Sequence, residues 1–283
     1  MTESTPLPES QPIAASIPPS GSTAGSWLFW AVFKRELRQY LQTPGTYVAL
    51  AFFLILSGSL FTLILGDYLT ASAQVTSGGK PLADTELPLD PTARIITQLF
   101  STLNFLMLFL VPMLTMRLIS EEKRGGTFEL LVSTPLGNWS ILLGKYLAAL
   151  AMGTLLLAVC GVYPLLCRTF CRPETPVVFS CFLGLFLIIL AYTAFGLFAS
   201  SLTESQIASA VLSFAGLLLF QMVGWFFKTG LLGAVATQLS IYQHSDCFTR
   251  GVVASNDVLF FLLFTIFFLF LTAQSLDSRR WRA

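Results

Sequence analysis

The sequence predicts an all-α integral membrane protein. It has six transmembrane helices, an N-terminal interfacial helix, a short amphipathic helix between the second and third spans, and a re-entrant helix before the last span. Three observations carry that prediction. Charged residues make up only 11% of the 283-residue chain, 54% are hydrophobic, and phenylalanine alone occurs 26 times; a soluble domain of this size carries roughly a quarter charged residues. The charge that is present clusters, leaving uncharged runs at 39–66, 95–116, 146–167, 175–203, 205–227 and 258–276. Each is close to or above the about 20 residues that cross a hydrocarbon core of about 30 Å as a helix. The cations also divide unevenly between loops. With the N-terminus inside, the inner segments hold Lys34, Arg35, Arg38, Arg117, Lys123, Arg124, Lys145, Arg279, Arg280 and Arg282, and the outer ones Lys80, Arg94, Arg168, Arg172, Lys228 and Arg250. Positive charge collects on the cytoplasmic side, so the expected protein is multi-pass in the inner (cytoplasmic) membrane with both termini cytoplasmic.

Taken in order, residues 1–26 are rich in Pro, Ser and Thr and hold no basic residue, the composition of a disordered tail. Residues 27–42, WLFWAVFKRELRQYLQ, place Trp30, Phe33, Leu37 and Leu41 at helical spacing, with Arg35, Arg38, Gln39 and Gln42 on the other side. An aromatic apolar face backed by a basic one describes a helix lying in the membrane interface. Thr43-Pro44-Gly45 breaks it, and a six-span domain over 43–276 follows, with spans near 45–66, 95–117, 140–165, 176–200, 205–227 and 257–276. The loop 67–93 is polar and outside. SSLTES (200–205) is so short that spans four and five form an antiparallel pair, and the small-residue pairs Ala149/Gly153 and Ser209/Ser213 permit close helix approach. Residues 229–243 are apolar but too short to span, and as a seventh span they would put the C-terminal arginines outside. They are read as re-entrant or interfacial. Residues 277–283 form a cytoplasmic tail.

The stretch RLISEEKRGGTFELLVSTPLGN, 117–138, stands out, with charge at Arg117, Glu121, Glu122, Lys123, Arg124 and Glu129. Residues 117–124 continue the second span as a charged helical stem, and Gly125-Gly126 lets the chain bend. Thr127 caps a short helix and Glu129 suits its positive end. Phe128, Leu131 and Val132 form one apolar face, and Pro135 ends the helix by disfavouring the α conformation at Thr134. So short a helix with an exposed apolar face needs a surface, either lipid headgroups or a groove on a partner.

Other features narrow the function. The uncharged runs contain no Asp, Glu, Lys, Arg or His, which argues against an ion-coupled secondary transporter. No phosphate-cradling G-x-x-x-x-G-K-[ST] run is present, and Gly79-Lys80 is followed by Pro81. The one histidine, His244, stands near Ser240, Asp246 and Cys247. Catalysis would need Ser240, His244 and Asp246 to converge, and His244 with Cys247 falls short of a structural zinc set; no metal is expected. Cys167 and Cys171 either close a small disulfide in an oxidising compartment or stand as two thiols near a helix end.

The run R-x-x-x-E-E-K-R-x-G-T-x-E-x-L-x-S-x-P from Arg117 to Pro135, with L-x-G-K-Y at 142–146, resembles the signature of type-2 ABC exporter permeases. It looks closest to the branch of gliding-motility permeases and the permease of nitrous-oxide-reductase copper-site assembly. FKRELRQY with TPGTY (33–40, 43–47) and SLTESQIASA (201–210) resemble other parts of that family, so the likeness covers nearly all of 27–275. It implies a six-helix domain that dimerises with a second copy or a homologous permease and binds two ATPase subunits. Thr127–Ser133 would be the coupling helix in a cleft of the ATPase, Glu121 and Glu122 would anchor its stem, and Gly126-Thr127 would shape the turn. The helix 27–42 would be the elbow helix. The permease would be non-catalytic and bind no cofactor itself, ATP and Mg belonging to the partner ATPase. Its expected role is to couple ATP hydrolysis to export or movement of a substrate. The alternatives are ATP-driven mechanical transmission to a periplasmic partner, or a membrane-embedded enzyme or scaffold. The lipid bilayer is its other contact, and no nucleic-acid partner is expected.

Overall fold

The computed structural model describes residues 23–76, 92–126, 138–170, 174–226 and 236–280. Among them every regular element is helical. In chain order these are α1 (Thr23–Gln42), α2 (Pro44–Thr76), a π-helical turn (Thr92–Thr97) leading into α3 (Gln98–Thr115), α4 (Ser120–Arg124), α5 (Asn138–Cys160), α6 (Val162–Phe170), α7 (Thr175–Leu202), α8 (Gln206–Phe226), α9 (Ile241–Thr249) and α10 (Ser255–Arg280). Six stretches are long and apolar enough to cross a membrane: Pro44–Ala73, Ile95–Arg124, Trp139–Thr169, Thr175–Leu202, Gln206–Phe226 and Ser255–Ser278. The six-span, all-α class read from the sequence is the one observed.

The fourth span, α7, sits at the centre. It is apolar all round, as a helix surrounded by others must be, and Ile188, Ile189, Ala191, Tyr192, Ala194, Leu197 and Ala199 are fully or almost fully buried. α10, α3, α8, α5 and α9 pack around it. Lipid is as apolar as leucine, so helices in it associate through close packing rather than hydrophobic drive. Here that packing is strongly aromatic. Phe195 meets Phe268 edge-on at 4.8 Å and Phe220 meets Phe264 at 5.2 Å, the geometry that aromatic quadrupoles favour. The outward faces stay greasy, with Phe52, Ile55, Ile207 and Phe226 exposed.

The corner between α1 and α2 follows from local chemistry. Pro44 cannot donate and disfavours a helical residue before it, so α1 stops at Gln42, while Pro44 is tolerated as the first residue of α2. Thr43 turns both its hydroxyl and its N–H back to the Gln39 carbonyl, at 2.7 and 3.0 Å. The Tyr47 hydroxyl donates to the Leu41 carbonyl at 2.6 Å and braces the turn.

Several bounds differ from the sequence reading. The first helix starts at Thr23 rather than 27. α2 runs on to Thr76 instead of ending near 66, because Gly66 alone weakens a helix by only about 1 kcal/mol and no proline follows before Pro81. The second span does not run unbroken into its stem: residues 116–119 form turns between α3 and α4. The small-residue pair on α5 does permit close approach, since a Cβ on Gly153 would lie 2.6 Å from Ile189 Cγ2. In the stretch 229–243, residues 236–239 are helical and α9 continues past 243 to Thr249. At nine residues α9 is about 14 Å long, too short to cross, and its Ile241 and Phe248 are buried among the spans.

Candidate functional site

The site begins where the second span breaks. Pro112 lies inside α3, and beyond it Thr115 presses against α7 so closely that a Cβ on Gly196 would fall 2.1 Å from Thr115 Oγ1. Only glycine fits there. The turns at 116–119 release backbone groups from the helix ladder, and buried N–H groups need partners. Ser200 of α7 supplies them: its hydroxyl accepts from the Ile119 and Ser120 N–H groups at 3.1 Å each and donates to the Met116 carbonyl at 3.2 Å. Lys123 donates to the Ser201 carbonyl. α4 then ends through Gly125, whose N–H bonds the Glu121 carbonyl at 2.9 Å, and Gly126 at φ +67°. A left-handed residue after the last helical turn is a common helix stop, and glycine takes it without penalty.

The break also frees the Leu118 carbonyl, and Lys145 of α5 takes it. The Lys145 ammonium donates to the Leu118 carbonyl at 2.9 Å, to Glu36 Oε1 of α1 at 2.9 Å and to Glu122 Oε1 of α4 at 2.8 Å. An ammonium has three N–H donors, so this one is saturated. Lys145 is 3% exposed. Arg35 adds a second cation, its guanidinium 3.1 Å from Glu122 Oε1. Two cations thus face two carboxylates, and the cluster is neutral as a whole. That matters because a buried charge without a partner costs several kcal/mol, while a paired and fully hydrogen-bonded one is tolerated. Beside it Tyr40 donates to the Leu114 carbonyl at 2.8 Å. Burial, with the Glu36 carboxylate second, pushes its phenol well above the ordinary tyrosine range.

The junction therefore ties three elements. α1 gives Arg35 and Glu36, the stem gives Glu122 and the Leu118 carbonyl, and α5 gives Lys145. The stem and α5 are the two flanks of residues 127–137, which lie outside the described residues. The Lys145–Glu122 pair ties those two flanks to each other like a clasp.

Of the residues singled out from the sequence, Arg35 and Glu122 are in the junction. Glu121 is exposed, as are Arg38 and Trp30; Trp30 meets Phe33 edge-on at 5.5 Å. Gly126 makes the turn described. Thr127, Phe128, Glu129, Leu131, Val132, Ser133 and Pro135 lie outside the described residues. α1 also packs on the bundle: its protein-facing stripe includes Glu36 and Tyr40 and rests on α5, while Trp30 and Leu41 face outward. Sequence reasoning missed Glu36 and Ser200, and gave Lys145 no role. A signal for Glu36 was available, since it is the lone acid among Lys34, Arg35 and Arg38 and stands one turn from Tyr40.

Ser240, His244 and Asp246 do not converge. Asp246 pairs with Arg250 at 2.6 Å, His244 faces Asp257 and the Gln238 carbonyl, and Ser240 packs against Gly224.

A protein-family model described as ABC-2 type transporter matches residues 28–236. No curated protein matches the chain.

Proposed function

Because the chain belongs to the ABC-2 type transporter family, we propose that it is the permease subunit that turns ATP hydrolysis on separate ATPase subunits into movement across the membrane. It is a multi-pass membrane protein, and its family normally works with ABC ATPase subunits. In this reading two ATPases carry the ATP and Mg, and each receives the Thr127–Ser133 helix of one of two permeases in a cleft. The elbow, the stem and both termini lie on the cytoplasmic side of the inner membrane. Export or movement of a substrate is the role that follows, with mechanical transmission to a periplasmic partner as the same stroke put to another use. Placement on the gliding-motility and nitrous-oxide-reductase-maturation branch rests on the Arg117–Pro135 run with L-x-G-K-Y at 142–146.

The observation that carries the reading is the clasp. A helix docked on an ATPase transmits nothing if its two flanks give way separately. Lys145 holds the stem, α5 and the elbow helix together with three hydrogen bonds, so a push on 127–137 moves all three as one body. The test is Leu131→Asp. A charge buried in the docking contact costs several kcal/mol, enough to weaken binding by orders of magnitude at about 1.4 kcal/mol per tenfold. The variant should insert normally and lose the co-purifying ATPase. Undiminished co-purification with normal ATP-driven activity would overturn the docking role.

A further inference from the structure

The opposite end of the bundle holds a second polar contact that the coupling apparatus does not use. His244, the one histidine of the chain, places Nδ1 2.6 Å from Asp257 Oδ1 and Nε2 3.0 Å from the Gln238 carbonyl oxygen. Its ring stacks on Phe260 at 4.1 Å with 17° between the planes, and Phe260 is one turn beyond Asp257 on α10. The side chains of His244 and Asp257 are only 15% and 10% exposed.

Donor counting makes this contact unusual. A carbonyl oxygen and an ionised carboxylate only accept. A neutral imidazole has one N–H and one bare nitrogen, so beside these two oxygens one ring nitrogen would point its lone pair at another lone pair. Both contacts are satisfied only when the pair holds one additional proton. It is then either an imidazolium donating twice, or a neutral ring donating from Nε2 and accepting from a protonated carboxyl. The proton count is the same in both forms.

We propose that His244 and Asp257 form a proton-binding site that fastens the 236–249 segment to the first turn of the last span. Protonated, the site holds both ring contacts; when the proton leaves to solvent, the one remaining N–H serves either Asp257 or the Gln238 carbonyl of the segment itself, and the link to α10 falls from a charge-assisted pair to a weaker bond or none. Among the described residues Cys247 of α9 also bonds the Asp257 carboxylate through its thiol, while the other anchors of α9 carry no titrating group. Ser180 bonds the Phe248 carbonyl at 3.0 Å, Asn104 bonds Ser245 at 3.3 Å, Thr97 bonds the Thr249 carbonyl at 3.0 Å, and Trp225 of α8 packs on Tyr242. Among the described residues the titratable groups nearby are Asp246 and Arg250, bound to each other, Cys247 and Tyr242 on α9 itself, and Cys181 of α7, whose thiol faces the Phe248 carbonyl. The closed state therefore belongs to acid and the loosened state to alkali.

A single histidine makes the test direct. Full-length protein labelled with 15N-histidine, purified through a histidine-free tag and held in lipid nanodiscs, gives one ring in the nitrogen NMR spectrum. At pH 6 the spectrum should show Nε2 protonated and Nδ1 protonated or sharing a proton, and by pH 9 one bare nitrogen. A ring with a bare Nε2 at pH 6 would overturn the proposal, and this needs no variant. Backbone hydrogen exchange of 241–249 supplies the second arm, comparing Asp257→Asn with wild type at the same pH so that intrinsic exchange chemistry cancels. Exchange should be about tenfold or more faster in the variant at pH 6, as expected for losing a charge-assisted bond, and the ratio should shrink at pH 9. A ratio that is the same at both values would mean a structural hydrogen bond with no proton dependence.

Discussion

Replacing Lys145 by methionine removes the ammonium from the junction while keeping the length of the side chain. Glu36 Oε1 and Glu122 Oε1 would each lose a bond of 2.9 or 2.8 Å, and the Leu118 carbonyl would lose its donor. Removing one partner of a buried ion pair costs about 3–5 kcal/mol. Arg35 remains 3.1 Å from Glu122, so the loss should sit at the lower end, about 3 kcal/mol, or about a hundredfold in the folding equilibrium. Neutralising the carboxylates as well, in Lys145→Met with Glu36→Gln and Glu122→Gln, should recover part of that, because no uncompensated buried charge remains and a Gln amide can donate to the Leu118 carbonyl. The assay is reversible unfolding of the purified permease by increasing mole fraction of a denaturing detergent, for wild type, the single variant and the triple variant. ATPase activity of the assembled complex is followed alongside. The triple variant should be more stable than the single variant yet poorly coupled, since the electrostatic clasp is gone. A single variant as stable as wild type would refute the saturated-junction reasoning, and a triple variant with normal coupling would refute the clasp.

Two further outcomes follow from the stem. Ser200→Ala leaves the Ile119 and Ser120 N–H groups without their acceptor, and should cost about 2 kcal/mol in the same unfolding assay; a change within error would mean that water replaces the hydroxyl. Gly196→Val drives a Cβ to within 2.1 Å of Thr115 Oγ1 and should lower stability by about 1–3 kcal/mol or more through overpacking, with partial rescue by Thr115→Ala; absence of rescue would place the strain elsewhere.

The six spans were legible in the chain itself because the bilayer leaves so little choice. A run of about 20 uncharged residues in lipid can satisfy its backbone only as a helix, and that depends on composition rather than on any neighbour. The Thr43-Pro44 corner and the bend at Gly125-Gly126 were readable for the same reason, both being decided within a few residues. The junction was not. Glu36 and Lys145 stand 109 positions apart, and their meeting depends on how α1 rests on α5. From the sequence Lys145 is one more cation at a span's edge, and Glu36 is hidden among the cations that suggested an interfacial helix. The Leu118 carbonyl becomes an acceptor only because the helix breaks at 116–119, and that break persists because Ser200 of another span takes up the N–H groups it frees. The His244–Asp257 pair has the same character: sequence proximity suggested Asp246 as the partner, but Arg250, one turn along the same helix, holds that carboxylate. Local backbone chemistry and solvent thus determined which segments are helices and where they turn. Which charges find each other was decided by packing, because a buried ion is stable only where the fold brings its partners within hydrogen-bonding distance.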